Sequence, residues 1–118
     1  MEYLNYKIYQ GKNEIYNWID FKSNFLDGTN SKSIENDFRN LFENEIQNSK
    51  SKKTILNFEN IDDFTPSGIS PISVLNKLNK EKEFPEIIFY KLKKDLERTL
   101  EISQVHWKYK SISNIEEL

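Results

Sequence analysis

From Tyr3 to Gln10 the side chains alternate. Leu4, Tyr6 and Ile8 lie on one side, and Tyr3, Asn5, Lys7 and Tyr9 on the other, the period of a half-buried strand. Gly11-Lys12-Asn13 reads as a turn, and alternation resumes from Glu14 to Lys22 with Ile15, Asn17, Ile19 and Phe21 on one face. So short a turn makes the two strands antiparallel neighbours. Tyr16 and Trp18 project from the opposite face, which predicts an exposed aromatic pair on a sheet face left open by the helices.

Leu26 to Ser31 is a loop by composition. The period then changes: Ile34, Phe38, Leu41, Phe42 and Ile46 share one helical face and predict a helix over about 33–47, with Glu35 and Arg39 one turn apart on its solvent side. Ile55, Leu56 and Phe58 form a short β-rich run suited to a central strand. Ile69, Ile72, Leu75 and Leu78 predict a second helix ending near Lys80. Glu86 to Tyr90 reads as another buried strand, and Leu92, Leu96 and Leu100 mark a third helix. Val105, Trp107 and Tyr109 alternate with His106, Lys108 and Lys110 in a closing strand, and Ile112 to Leu118 forms a short helical tail. The order β-β-α-β-α-β-α-β-(α) defines an α/β protein whose helical crossovers join parallel strands right-handedly.

At 118 residues the chain is a single domain, 1–118. A net charge of −2 gives no electrostatic case for nucleic acid, and it makes Lys50, Lys52 and Lys53 a solvated loop rather than an anion site. With no cysteine there is no disulfide scaffold and no thiol nucleophile. No apolar run approaches the roughly 20 residues that span a bilayer, and the first residues carry no charged-then-apolar signal, so no membrane insertion and a cytoplasmic location are expected. Catalysis lacks a constellation. His106 is the single histidine, Asp62 and Asp63 are adjacent and point apart, no glycine-rich loop precedes a helix, and no metal-ligand spacing is present. The expectation is a protein with no enzymatic activity, no cofactor and no metal.

Chemistry concentrates in the stretch from Thr54 to Ile69: a strand, a short polar loop, then a tight turn into a helix. Thr65-Pro66-Ser67-Gly68 offers a cap, a fixed φ and a flexible joint in four residues. Pro71 leaves the helix start open. With Thr65 as cap, Pro71 falls inside the helix; with Ser70 as cap, Pro71 is its first residue and 65–69 is extended. Either way, free N–H groups past the carboxyl end of a strand face whatever docks there.

The same stretch resembles the STAS domain family, whose best-known members are bacterial anti-sigma-factor antagonists. Ile55-Leu56-Asn57-Phe58, Ile61, Phe64 and Thr65-Pro66-Ser67-Gly68-Ile69 follow that family's strand, apolar loop and Asp-Ser-(Ser/Thr)-Gly-(Leu/Ile) turn with the same spacing. Phe25-Leu26-Asp27 is similar to its Gly-Glu-Leu-Asp before the first helix, and Asp95 to Ile102 resembles its late helix. The resemblance implies a mixed sheet of about five strands with helices packed on one face. It also implies a non-enzymatic protein-binding module, with Asp27, Phe64, Thr65, Pro66, Ser67, Gly68 and Ile69 as the docking surface and Phe64 and Ile69 as its apolar lip. The partner implied is an anti-sigma factor of serine-kinase type. The alternative is an accessory subunit regulating a membrane transporter, or a structural adaptor. In switching members of the family the serine after the motif's aspartate is phosphorylated. Here those positions hold Thr65 and Pro66, and proline has no hydroxyl, so the usual phospho-switch is expected to be absent, with Ser67 and Thr65 the remaining candidates for phosphorylation. Self-association is expected through the open sheet face bearing Tyr16 and Trp18.

Overall fold

The hairpin read from the first alternation is the edge of the main sheet. In the computed structural model, which describes residues 1–103 and 108–118, β1 (Leu4–Gln10) and β2 (Ile15–Phe21) pair antiparallel in unbroken register from Leu4↔Phe21 to Gln10↔Ile15. The strands β4 (Thr54–Asn57), β6 (Ile88–Tyr90) and β7 (Lys110–Ile112) follow, each parallel to its neighbour, in the order β1-β2-β4-β6-β7. Helices α1 (Ser31–Asn44), α2 (Ile69–Glu81) and α3 (Lys94–Ile102) form the crossovers. A separate two-stranded ribbon pairs β3 (Phe25–Leu26) with β5 (Asp63–Phe64) in parallel.

Alternation along each strand divides the apolar side chains into two layers. On one face Leu4, Ile19, Phe21, Leu56, Phe58 and Phe89 meet Ile34, Phe38, Leu41 and Phe42 of α1, Ile72 and Leu75 of α2, and Leu96 and Leu100 of α3. Phe58 sits at the centre of this layer, its ring centroid 5.3 Å from Phe21, 6.1 Å from Phe64 and 5.0 Å from Phe89. The helices therefore pack on one side of a mixed five-stranded sheet, as the pattern predicts.

The helix-free face corrects one expectation. Tyr16 and Trp18 are only 5% and 4% exposed. The strand register puts large side chains beside them: Trp18 lies next to Ile55, Ile55 next to Ile88, and Tyr90 next to Ile112. Leu118 completes the layer. Trp18 packs against Tyr9 at 5.0 Å and Tyr90 at 5.4 Å, with the Lys7 ammonium 5.5 Å from the Trp18 ring and the Lys91 ammonium 5.5 Å from the Tyr90 ring. The Tyr16 and Trp18 rings are thus packed among their neighbours on this face and are not an exposed pair.

Other boundaries shift for local reasons. The helix α1 begins at Ser31 and stops at Asn44, and a 3-10 turn at Ile46–Asn48 carries Ile46 into the core. Leu26, Asp63 and Phe64, expected in loops, belong to the short strands Phe25–Leu26 and Asp63–Phe64. The final strand is Lys110–Ile112, so Ile112 belongs to the sheet, and the tail's helical part is a 3-10 turn at Ile115–Glu117 capped by Asn114. Val105, His106 and Trp107 lie outside the described residues.

Candidate functional site

The ribbon β3–β5 brings the two predicted site segments together. Leu26 lies beside Phe64, and the Thr65 amide donates to the Leu26 carbonyl over 3.0 Å. The chain leaves β3 into Asp27-Gly28-Thr29 and leaves β5 into Thr65-Pro66-Ser67, so two surface loops emerge side by side. Their proximity is measurable at Gly28, where a Cβ would lie 3.6 Å from the Ser67 Cβ and 3.7 Å from its hydroxyl oxygen.

Each loop is held by its own hydrogen bonds. One carboxylate oxygen of Asp27, Oδ1, accepts from both the amide and the hydroxyl of Thr29. The Thr29 hydroxyl is the largest cause that holds the Asp27 carboxyl below the usual aspartate range, and the Thr29 amide adds to it. Asn30, buried at the mouth of α1, accepts from the Asp27 amide at 3.1 Å and donates to the Phe25 carbonyl at 2.9 Å. Its side chain thus fixes the loop and leaves the helix end uncapped. Sequence reading passed over Asn30 and Gly28. The available signal was an Asn directly before an apolar helical period, which reads as a cap; here that amide is spent on the loop.

The turn resolves the ambiguity over Pro71. Thr65 is extended and precedes a 3-10 turn at Pro66–Gly68, which runs straight into α2. Pro66 takes the first position of that turn, where no N–H is needed. Pro71 falls in the first turn of α2, where a missing N–H costs little. Gly68 has ordinary helical angles, φ −77° and ψ −11°, so it is not a flexible joint. It is required by space: a Cβ there would reach 2.5 Å from the Leu26 carbonyl carbon.

Of the predicted docking residues, Pro66 and Ser67 are exposed, Thr65 and Asp27 are partly exposed, and Phe64, Gly68 and Ile69 are buried. The apolar lip is therefore corrected: Phe64 and Ile69 belong to the main core, with Phe64 against Phe58, because both point inward where the turn is clamped to β3. On the other flank of β5 the Thr99 hydroxyl of α3 donates to the Phe64 carbonyl at 3.3 Å. Asp62 pairs with Lys93 at 2.6 Å and Glu59 with Lys91 at 3.3 Å, both pairs exposed. Among the described residues no group of three or more His, Asp or Glu side chains is placed to hold a metal, and no helix is long and apolar enough to cross a membrane.

The mixed sheet, the three helices on one face and the clamped strand–turn–helix together make this a STAS-like fold. Among solved structures the chain is similar to the anti-sigma factor antagonist SpoIIAA in its unphosphorylated form, with a TM-score of 0.61 over 96% of this chain and 92% of that one. Sequence identity is 13%, so what the two share is the fold. No protein-family model and no curated protein matches the sequence.

Proposed function

We propose that this chain is a non-enzymatic protein-binding module of the anti-sigma-factor-antagonist kind, docking a protein partner through Asp27-Gly28-Thr29 and Thr65-Pro66-Ser67. The observation that supports this reading is the pairing of β3 with β5, which sets these two loops next to each other as one small, preorganised surface. A preorganised surface loses little conformational entropy on docking. The buried residues Phe64, Gly68 and Ile69 support the surface from beneath.

The module works without phosphorylation at the usual position, because Pro66 has no hydroxyl to modify. Asp27 supplies a fixed negative charge. A phosphate would add about −1.5 to −2 more at neutral pH if placed on Ser67, against Gly28 and one residue from Asp27. Like charges at that spacing repel, so a phosphate on Ser67 would disfavour docking to an acidic partner surface. The location is cytoplasmic and the partner is a protein, of serine-kinase-like anti-sigma type.

The test is co-purification of partners on immobilised wild type, Asp27→Lys and the remote control Lys77→Glu. Asp27→Lys keeps its circular dichroism spectrum and loses the captured partner, while Lys77→Glu retains it. Equal capture by all three proteins would remove the docking assignment.

A further inference from the structure

We infer that a groove at the C-terminal end of α2 binds a small zwitterionic carboxamide, of which free glutamine is the simplest, and that Asn79 recognises its amide group. Apolar side chains recur along α2 at Ile69, Ile72 and Leu75, and the next position of that buried stripe holds Asn79. Asn79 is 2% exposed, and neither its amide nitrogen nor its amide oxygen has a hydrogen-bond partner among the described residues. A leucine there would continue the core without that penalty. The amide therefore costs the fold stability, as side chains kept for binding commonly do.

Asn79 lines a groove of about 580 Å³, a size that holds small ligands. Asn76, one turn earlier on the same helix face, also lines it, as does Phe84, whose amide donates to the Asn79 carbonyl at 2.9 Å. The turn beyond α2 is strained at the same place. Glu83, in the groove wall, has φ 58°, in the left-handed region that favours glycine. Asn79 lies about 16 Å along the helix from Gly68, so this groove is separate from the paired loops.

The chemistry of the lining selects the ligand. An amide offers a donor and an acceptor side by side, and another amide satisfies both at once, its oxygen receiving from Nδ2 and its N–H donating to Oδ1. Lys80, Lys108, Glu83 and Glu86 stand around the groove, two of each sign and all exposed. Among the described residues none of these four is in an ion pair, whereas Lys53, Lys91 and Lys93 elsewhere each are. Such a rim complements a ligand with one charge of each sign better than it does an anion or a cation. A free amino acid with a carboxamide side chain combines all three groups; a nucleobase could pair with Asn79 but would leave the rim charges unused. The Asn79 amide is shut off from bulk water, and a shift of the half-buried Asn76 or Phe84 side chain, a movement common on binding, opens it to the ligand.

NMR titration of the isotope-labelled full chain with L-glutamine, from about 0.1 to about 20 mM, covers the affinity of a small ligand with few contacts. Saturable amide shifts are expected within residues 76–86 and at Lys108, with 27–29 and 65–67 unmoved. L-Glutamate lacks the N–H that the Asn79 oxygen needs and adds a net charge, so it binds at least about 100-fold more weakly. Asn79→Leu keeps its circular dichroism spectrum and loses the response. Lys108→Glu, a change on the exposed rim, weakens binding by about threefold. No saturable shift with glutamine, an equal response to glutamate or to adenine, wild-type affinity in either variant, or shifts confined to the two loops would each overturn the inference.

Discussion

Gly68 sits flush against the carbonyl of Leu26, the same carbonyl that accepts the Thr65 amide over 3.0 Å. Ribbon, turn and helix start converge on that one oxygen. Whatever the two loops do, they do it on geometry set there.

Gly68→Ala should therefore damage the site by unfolding its support. The new methyl would lie 2.5 Å from the Leu26 carbonyl carbon and 2.8 Å from its Cβ, and neither backbone can retreat without parting β3 from β5. Overpacking against backbone of this kind costs about 2–4 kcal/mol, the upper part of the range for point changes. A urea titration reads this as a lower midpoint. Gly28→Ala is the contrast: its Cβ meets nothing closer than 3.6 Å, so stability should stay within about 0.5 kcal/mol of wild type.

Two buried polar groups should be improvable. The Thr54 hydroxyl oxygen, and both amide atoms of Asn79 in a residue 2% exposed, have no hydrogen-bond partner among the described residues. An unpaired buried polar group costs about 1–3 kcal/mol relative to an apolar group of the same shape. Thr54→Val keeps the β-branch that suits a central strand and should add about 1 kcal/mol. Asn79→Leu should add about 1–2 kcal/mol. Thermal unfolding of each variant checks this through a raised Tm.

Asp27 should titrate below an ordinary aspartate, because the Thr29 hydroxyl, and after it the Thr29 amide, favours its ionised form. A carboxyl whose folded-state pKa is depressed stabilises the fold above its unfolded value of about 3.9, and loses that contribution as pH falls through the folded value. Thr29→Val removes the larger cause and should move the midpoint up toward the ordinary value. Carbon-detected NMR of the carboxyl group across acid pH measures the shift directly.

Pro66 makes a chemical prediction. With a partner kinase recovered by co-purification and supplied with ATP, Thr65 and Ser67 should remain unmodified in intact-mass spectra. Stoichiometric phosphate on either would mean the turn is a switch after all. In Pro66→Ser any phosphate should map to residue 66.

Much of this architecture was legible because periodicity reports burial. Leu4, Ile19, Phe38, Leu56, Ile72 and Leu96 all fall on the core face that their spacing predicts. What escaped was non-local. Two-residue strands such as Phe25–Leu26 leave no periodic trace, and their existence depends on Phe64 arriving beside them from far along the chain. Tyr16 and Trp18 fall on the predicted face, but their burial comes from Tyr9 across the hairpin together with Tyr90 and Leu118, which only the folded sheet brings near. For Gly68 the residue was singled out for the wrong property, since a close approach between distant backbones cannot be read from neighbours in sequence. Phe64 and Ile69 were likewise read as surface because they flank an exposed turn, when the clamp to β3 rotates them inward.

The parallel centre of the sheet has a consequence for how the molecule is made. Only β1 and β2 meet through a local turn; β2 with β4, β4 with β6 and β6 with β7 each wait on an intervening crossover. Loop-closure entropy must be overcome before each of those pairings is rewarded. The first hairpin can thus assemble early while Trp18 still lacks Tyr90 beside it, and in a Trp107→Phe background tryptophan fluorescence should trail the appearance of secondary structure during refolding.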